Sequence, residues 1–101
     1  MFEATSYISD AHQKVSDKLH EIGIGVRDEI DFPPYRVDCY LPEYHVALEV
    51  DGPYHHKKHD EKRDQYLMET YYLPIFRIKA KEEYSDWRDD FLEFLEYAYK
   101  T

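Results

Sequence analysis

The sequence predicts a single mixed α/β domain with elements in the order α-β-β-β-α-β-α, and three observations carry that prediction. Two alternating segments, Tyr35 to Leu41 and Val46 to Asp51, are separated by a loop too short for anything but a hairpin. Apolar residues recur at helical spacing near both ends of the chain. A helix-like stretch then lies between the second alternating segment and a last short strand, Ile75 to Ile78, which calls for a parallel crossover of the usual right hand. An antiparallel meander followed by a crossover gives a small mixed sheet flanked by helices. At 101 residues the chain holds one core and reads as one domain, residues 1–101.

The first helix is expected from Ser9, a candidate N-cap, to Gly23 or Gly25, with Ala11, Val15, Leu19 and Ile22 on one face together with Ile8 before it. Val26 to Ile30 suits a first strand, closed by Asp31-Phe32-Pro33-Pro34, because consecutive prolines cannot continue a central ladder. In the hairpin, Tyr35, Val37, Cys39 and Leu41 are expected on one side, and Arg36, Asp38 and Tyr40 on the other. An even loop sets Val37 against Val50, Cys39 against Leu48 and Leu41 against Val46. It also sets Asp38 against Glu49 and Arg36 against Asp51. An odd loop would oppose apolar to charged residues, so the even register is preferred.

Tyr54 to His59 reads as a polar loop, Asp60 as the start of a second helix that turns Leu67 and Met68 inward, and Leu73-Pro74 as its end. Ser85 or Asp86 caps a third helix with a core stripe of Trp87, Phe91, Phe94, Leu95 and Ala98. Tyrosine supplies 11 residues and aromatics 17% of the chain, so an aromatic core with hydroxyls at its rim is expected.

The formal net charge of −9 argues against a dedicated nucleic-acid-binding module, whose footprint is basic, but allows a catalytic module that meets a polyanion through metal ions and a local basic patch. The single cysteine, Cys39, precludes a disulfide within the chain and fits a reducing, cytoplasmic setting. The sequence has no membrane-length apolar run and no signal-peptide order.

The chemistry concentrates at Leu48-Glu49-Val50-Asp51-Gly52. In the even register Asp38 and Glu49 face each other at a Cβ spacing of roughly 4.5–5.5 Å, which is unfavourable unless a cation lies between them. Oxygen ligands so gathered suit Mg²⁺ or Mn²⁺. A solvent-facing sheet surface with Arg36 as counter-charge satisfies the same spacing. Lys57, Lys58, Lys62 and Arg63 form the dense basic stretch before the last strand and are candidates for phosphate contact, although Arg63 equally suits a carboxylate of the acidic cluster. Asp60 reads as a helix N-cap rather than a ligand. His45, His56 and His59 read as surface residues, and His55-x-x-x-His59 lacks the cysteines or helical setting of a zinc site.

These residues carry a resemblance. Val37-Asp38, the hairpin, Leu48 to Gly52, then His55, Asp60, Arg63, Leu67 and Ile75 to Ile78 resemble the PD-(D/E)xK nuclease superfamily over about residues 9 to 80. The nearest likeness is to very-short-patch-repair (Vsr)-like endonucleases and the bacterial E-V-D-G-x-x-H domains, with the RAP domain as a relative. The resemblance implies a restriction-endonuclease-like core and a metal-dependent endonuclease of repair, restriction or homing type. Asp38 and Glu49 then match the acidic Mg²⁺ ligands, the Val50 carbonyl contributes to the metal site, and His55 matches a candidate general base. Asp51 stands where the superfamily usually has lysine, and His12 or Gln13 falls near its first-helix glutamate. The implied partner is DNA, with a fused DNA-binding domain or a dimer partner supplying specificity. The missing lysine leaves two alternatives, a non-catalytic RAP-like RNA- or protein-binding domain and a metal-dependent RNase.

Overall fold

The computed structural model describes residues 10–51, 57–79 and 87–99. The expected Ser9, Ser85 and Asp86 caps, and His55 and His56, lie outside them. The order is α1 (Asp10–Glu21), β1 (Arg27–Phe32), β2 (Tyr35–Leu41), β3 (Val46–Asp51), α2 (Lys57–Tyr71), β4 (Ile75–Lys79) and α3 (Arg88–Tyr99). The sheet order is β1-β2-β3-β4, antiparallel through β3 and parallel between β3 and β4, so the expected fold class is the one found.

Each turn has a local cause. Helix α1 ends where Gly23 adopts φ +83°, with Gly23 N–H donating to the His20 carbonyl and Ile24 N–H to that of Leu19. This is a Schellman closure, which glycine adopts without a Cβ penalty, and Ile24 and Leu19 both belong to the core it seals. The Pro33-Pro34 turn, whose peptide bond is cis, brings Phe32 against Tyr35. The turn from β2 to β3 closes on the Leu41 carbonyl, which accepts from both Tyr44 N–H and His45 N–H. His45 lies on the surface as expected, and it also ties this turn to the end of α2. Its Nδ1 lies 2.8 Å from the Tyr40 hydroxyl, and its Nε2 lies 2.8 Å from the Tyr71 carbonyl.

Two cores sandwich the sheet. On one face α1 and α3 bury Val15, Leu19, Phe91 and Leu95 against Cys39, Leu41, Val46, Leu48 and Ile78. The α3 stripe is core as expected, with the Phe91 ring 5.4 Å from Phe76 and 5.9 Å from Trp87. On the other face Leu67 of α2 and Leu73 pack on Val37 and Ala47, with Ile30, Phe32, Tyr35, Tyr40 and Tyr71 around them.

Four expectations are corrected. Val37 does not share a face with Cys39 and Leu41 but packs under α2. Strict alternation fails at Asp38, opposite Glu29, whose φ is +57°. Asp28↔Cys39 and Ile30↔Val37 are paired while Glu29 and Asp38 between them are not. The register is the same on both sides of this unpaired position, so no residue is inserted, and the change of face coincides with the left-handed backbone at Glu29. Helix α2 begins at Lys57, not Asp60, so Lys57, Lys58 and His59 are helical and Asp60 lies within the first turn instead of capping it. Met68 is 49% exposed, because the buried stripe of α2 narrows to Leu67. The fourth correction concerns Arg36 and is taken up with the site.

Replacing Phe91 with Ala leaves a cavity in the larger core and should lower stability by about 3–5 kcal/mol, read as a reduced urea midpoint with an unchanged m-value.

Candidate active site

Pairing of β2 with β3 follows the even register through Leu41↔Val46, Tyr40↔Ala47 and Cys39↔Leu48, and then stops. Beyond that point side chains replace the ladder. Asp38 N–H donates to Glu49 Oε2 at 2.7 Å, and Val50 N–H donates to Asp38 Oδ2 at 2.8 Å. Two carboxylates thus fill the space between the strands, each held by a backbone donor of the neighbouring strand.

Glu49 is the more buried of the two, at 8% exposure. Burial, and then the charge of Asp38, push its carboxyl up to about 7, against the opposing pull of Arg63, the Asp38 N–H and Arg77. Arg63 reaches in from α2, its Nη2 3.1 Å from Glu49 Oε1. The same nitrogen donates to the Arg36 carbonyl at 2.6 Å, and the guanidinium lies 5.7 Å from the Tyr35 ring centroid. Of the two roles open to Arg63, the structure shows the carboxylate pairing.

Asp51, at the end of β3, meets Arg77 of β4, with 2.7 Å between Oδ1 and Nη1. Arg77 also grips Asp64 of α2 with two nitrogens, at 2.9 and 2.5 Å, and lies 3.7 Å from Asp60. Burial alone would lower its pKa, but the hydrogen bonds to Asp64 and the charges of Asp64, Asp51 and Asp60 raise it overall, so the guanidinium stays charged. The expected opposition of Arg36 and Asp51 does not form. Arg36 turns along its own hairpin, its Nε 2.7 Å from Asp31 Oδ1 and its Nη1 3.8 Å from Glu29, because the ladder has ended before it could face β3.

A second set lies toward α1. His12, 4% exposed, places Nε2 2.9 Å from Asp28 Oδ1 and Nδ1 3.8 Å from Glu29 Oε2. One ligand atom each from His12, Glu29 and Asp38 lie within 4.8 Å of one another, and the same holds for His12, Asp28 and Cys39. Cys39 Sγ is 3.8 Å from Asp28 Oδ1, and burial, then the neighbouring carboxylates, raise its pKa, so it remains a thiol. Asp38 is therefore the point where the acidic groups of the two sheet faces meet.

Of the residues singled out from sequence, Asp38, Glu49, the Val50 backbone, Asp51 and Arg63 come together here. Lys62 is exposed on α2, and Lys57 and Lys58 begin that helix, whose side chains there are outside the described set. Arg77, Asp64, Glu29 and Asp28 were not anticipated as site residues. Only the face alternation of β4 could have found Arg77, and nothing local marks Glu29. The carboxylates and the buried imidazole form a hard, oxygen-rich donor set suited to a divalent cation.

No protein-family model matches the chain, and no curated protein sequence does. Among solved structures, the fold is similar to the catalytic domain of the homing endonuclease I-Bth0305I, with a TM-score of 0.57 and 20% identity over 91% of this chain and 90% of that chain. That likeness establishes a nuclease-like fold. No helix among the described residues is long and apolar enough to cross a membrane.

Folded Glu49 keeps its proton up to a pH of about 7, whereas the unfolded chain loses it near the ordinary value of 4.5. The folded state therefore binds more protons across that interval, and stability should fall as pH rises through it, by up to about 3 kcal/mol. Denaturant midpoints measured in EDTA should show that decline, and Glu49→Gln should flatten it.

Proposed function

We propose that this chain is a metal-dependent endonuclease domain that hydrolyses DNA phosphodiester bonds, of the Vsr-like PD-(D/E)xK kind, with residues 1–101 forming one catalytic module. The observation that carries the reading is the gap in the ladder at Asp38, where carboxylates from adjacent strands replace backbone pairing and one of them is buried with a raised pKa. Side-chain acceptors of any kind could satisfy the two backbone donors, and the choice of two adjacent carboxylates supports a site that receives a divalent cation. The homing endonuclease fold supports the same reading.

In this proposal Asp38 and Glu49 would hold the cation, Mg²⁺ or Mn²⁺, together with the Val50 carbonyl, and Glu29 and His12 lie within reach of Asp38. When bound, the cation supplies charge neutralisation at the phosphoryl oxygens and lowers the pKa of the attacking water. His55 is the candidate base that accepts the water's proton, since a neutral imidazole has a suitable pKa. Asp51, at the end of β3, completes the proposed catalytic set. Lys57, Lys58, Lys62 and Arg63 are the proposed phosphate contacts, with Arg63 already placed beside Glu49.

One observation favours a second reading. Glu49 and Asp51 already have arginine partners at 3.1 and 2.7 Å, as they would in a non-catalytic RNA- or protein-binding relative that kept the acids for structure.

Supercoiled plasmid and a structured RNA, each incubated with Mg²⁺ or Mn²⁺, separate these readings. Asp38→Ala and Glu49→Ala should abolish cleavage, and His55→Ala should slow it on the order of 10²-fold. Cleavage of RNA alone would redirect the assignment to an RNase. Absence of cleavage of both substrates, with no metal uptake, would favour the binding module.

A further inference from the structure

We propose that Arg77 is a positioning residue that keeps Asp51 out of the metal site, an inference that rests on the nuclease reading above. Three observations place it. Arg77 on β4 is directly paired in register with Glu49 on β3, so its side chain rises on the same face, between the acids and α2. Its guanidinium spends two nitrogens on Asp64, at 2.9 and 2.5 Å, which fixes the plane of the fork from the helix side. Its remaining terminal nitrogen, Nη1, then meets Asp51 Oδ1 at 2.7 Å and Asp60 Oδ2 at 3.7 Å. A fork anchored at one carboxylate and donating to a second is rigid in a way that a lysine ammonium cannot be.

The consequence concerns the number of carboxylates available to a cation. Asp51 is two residues beyond Glu49 on the same strand face, and on this proposal loss of the Arg77 contact lets its carboxylate approach a cation held by Asp38 and Glu49. A further carboxylate strengthens metal binding, but it occupies a coordination position that water or a phosphate oxygen must use, and it weakens the cation as a Lewis acid. Holding Asp51 on Arg77 trades metal affinity for an open position.

Mn²⁺ titration followed by calorimetry or electron paramagnetic resonance tests this, with Arg77→Met, Asp51→Asn and the double variant beside wild type. Circular dichroism and thermal melts verify that each variant is folded. Arg77→Met should bind Mn²⁺ about fivefold or more tightly, the double variant should lose that gain, and plasmid cleavage by Arg77→Met should fall despite the tighter binding. If Arg77→Met fails to fold, Arg77→Lys carries the same test, since one ammonium cannot hold Asp51 and Asp64 together. A folded variant with unchanged or weaker Mn²⁺ affinity overturns the proposal, as does a gain that persists in the Asp51→Asn background, which would mark a general charge effect. Wild type and variants that all fail to bind Mn²⁺ would overturn the metal reading together with this inference, whereas Mn²⁺-binding wild type with no Asp51-dependent gain overturns the inference alone.

Discussion

The structure turns on the reciprocal hydrogen bonds between Asp38 and the β3 strand. A backbone N–H removed from water must find an acceptor. At the point where β2 leaves β3, the acceptors are side chains, Glu49 Oε2 for Asp38 N–H and Asp38 Oδ2 for Val50 N–H. This substitution ends the ladder without leaving donors unsatisfied. It also fixes both carboxyl groups from the backbone side, so that they hold position near each other despite their mutual repulsion. The raised pKa of Glu49 reflects its burial first and the neighbouring charge of Asp38 second.

The same irregularity sorts the cores. Before Asp38, Tyr35 and Val37 face α2; after it, Cys39 and Leu41 face α1 and α3. Because the switch occurs at the acidic residue, Asp38 is presented between layers instead of being committed to one face, which is how it lies within reach of His12 and Glu29 while bonding to Val50. Tertiary placement of the cations follows from the crossover. The connection from β3 to the parallel β4 carries α2 across the α2-facing side of the acids, and α2 delivers Arg63 while β4 delivers Arg77. A chain with net charge −9 thereby turns two of its arginines inward, and the exposed Asp89, Asp90, Glu93 and Glu96 of α3 leave that helix unsuited to meeting a polyanion. On the proposed function, substrate would approach from the side of α2.

Element order, the antiparallel hairpin and its register at Cys39↔Leu48 and Leu41↔Val46 were legible because alternation and the short loop each allow few solutions. The α3 stripe was legible from its 3.6-residue period. The position of Val37 was not, since the face switch coincides with a left-handed Glu29 in the neighbouring strand, which no local pattern in β2 records. Nor was the choice of counter-ion. Arg36 is nearest to the acids in the hairpin register, but Arg63 and Arg77, distant in sequence, are the arginines that reach them. Glu49 and Asp51 could be found from sequence because they share a strand, and His12 was marked only by the resemblance, whereas Arg77 and Asp64 join the site through packing.

Packing is also what makes such a site tolerable. Burying carboxylates close together opposes folding, and each must be offset by hydrogen bonds, cations or favourable burial elsewhere. The backbone donors and the two arginines meet part of this at the site itself. The rest falls to the apolar face beneath it, where Leu48 follows Ala47 and precedes Glu49 on β3 and packs with Leu41, Val46, Ile78 and Phe91. The two faces of one strand therefore have opposing roles, with the α1/α3 face holding β3 rigidly enough that the other face can carry groups that repel one another. Strand β3 is central in the sheet, and at Glu49 to Asp51 its ladder to β4 and the side-chain bonds to Asp38 leave the acids little freedom to move apart.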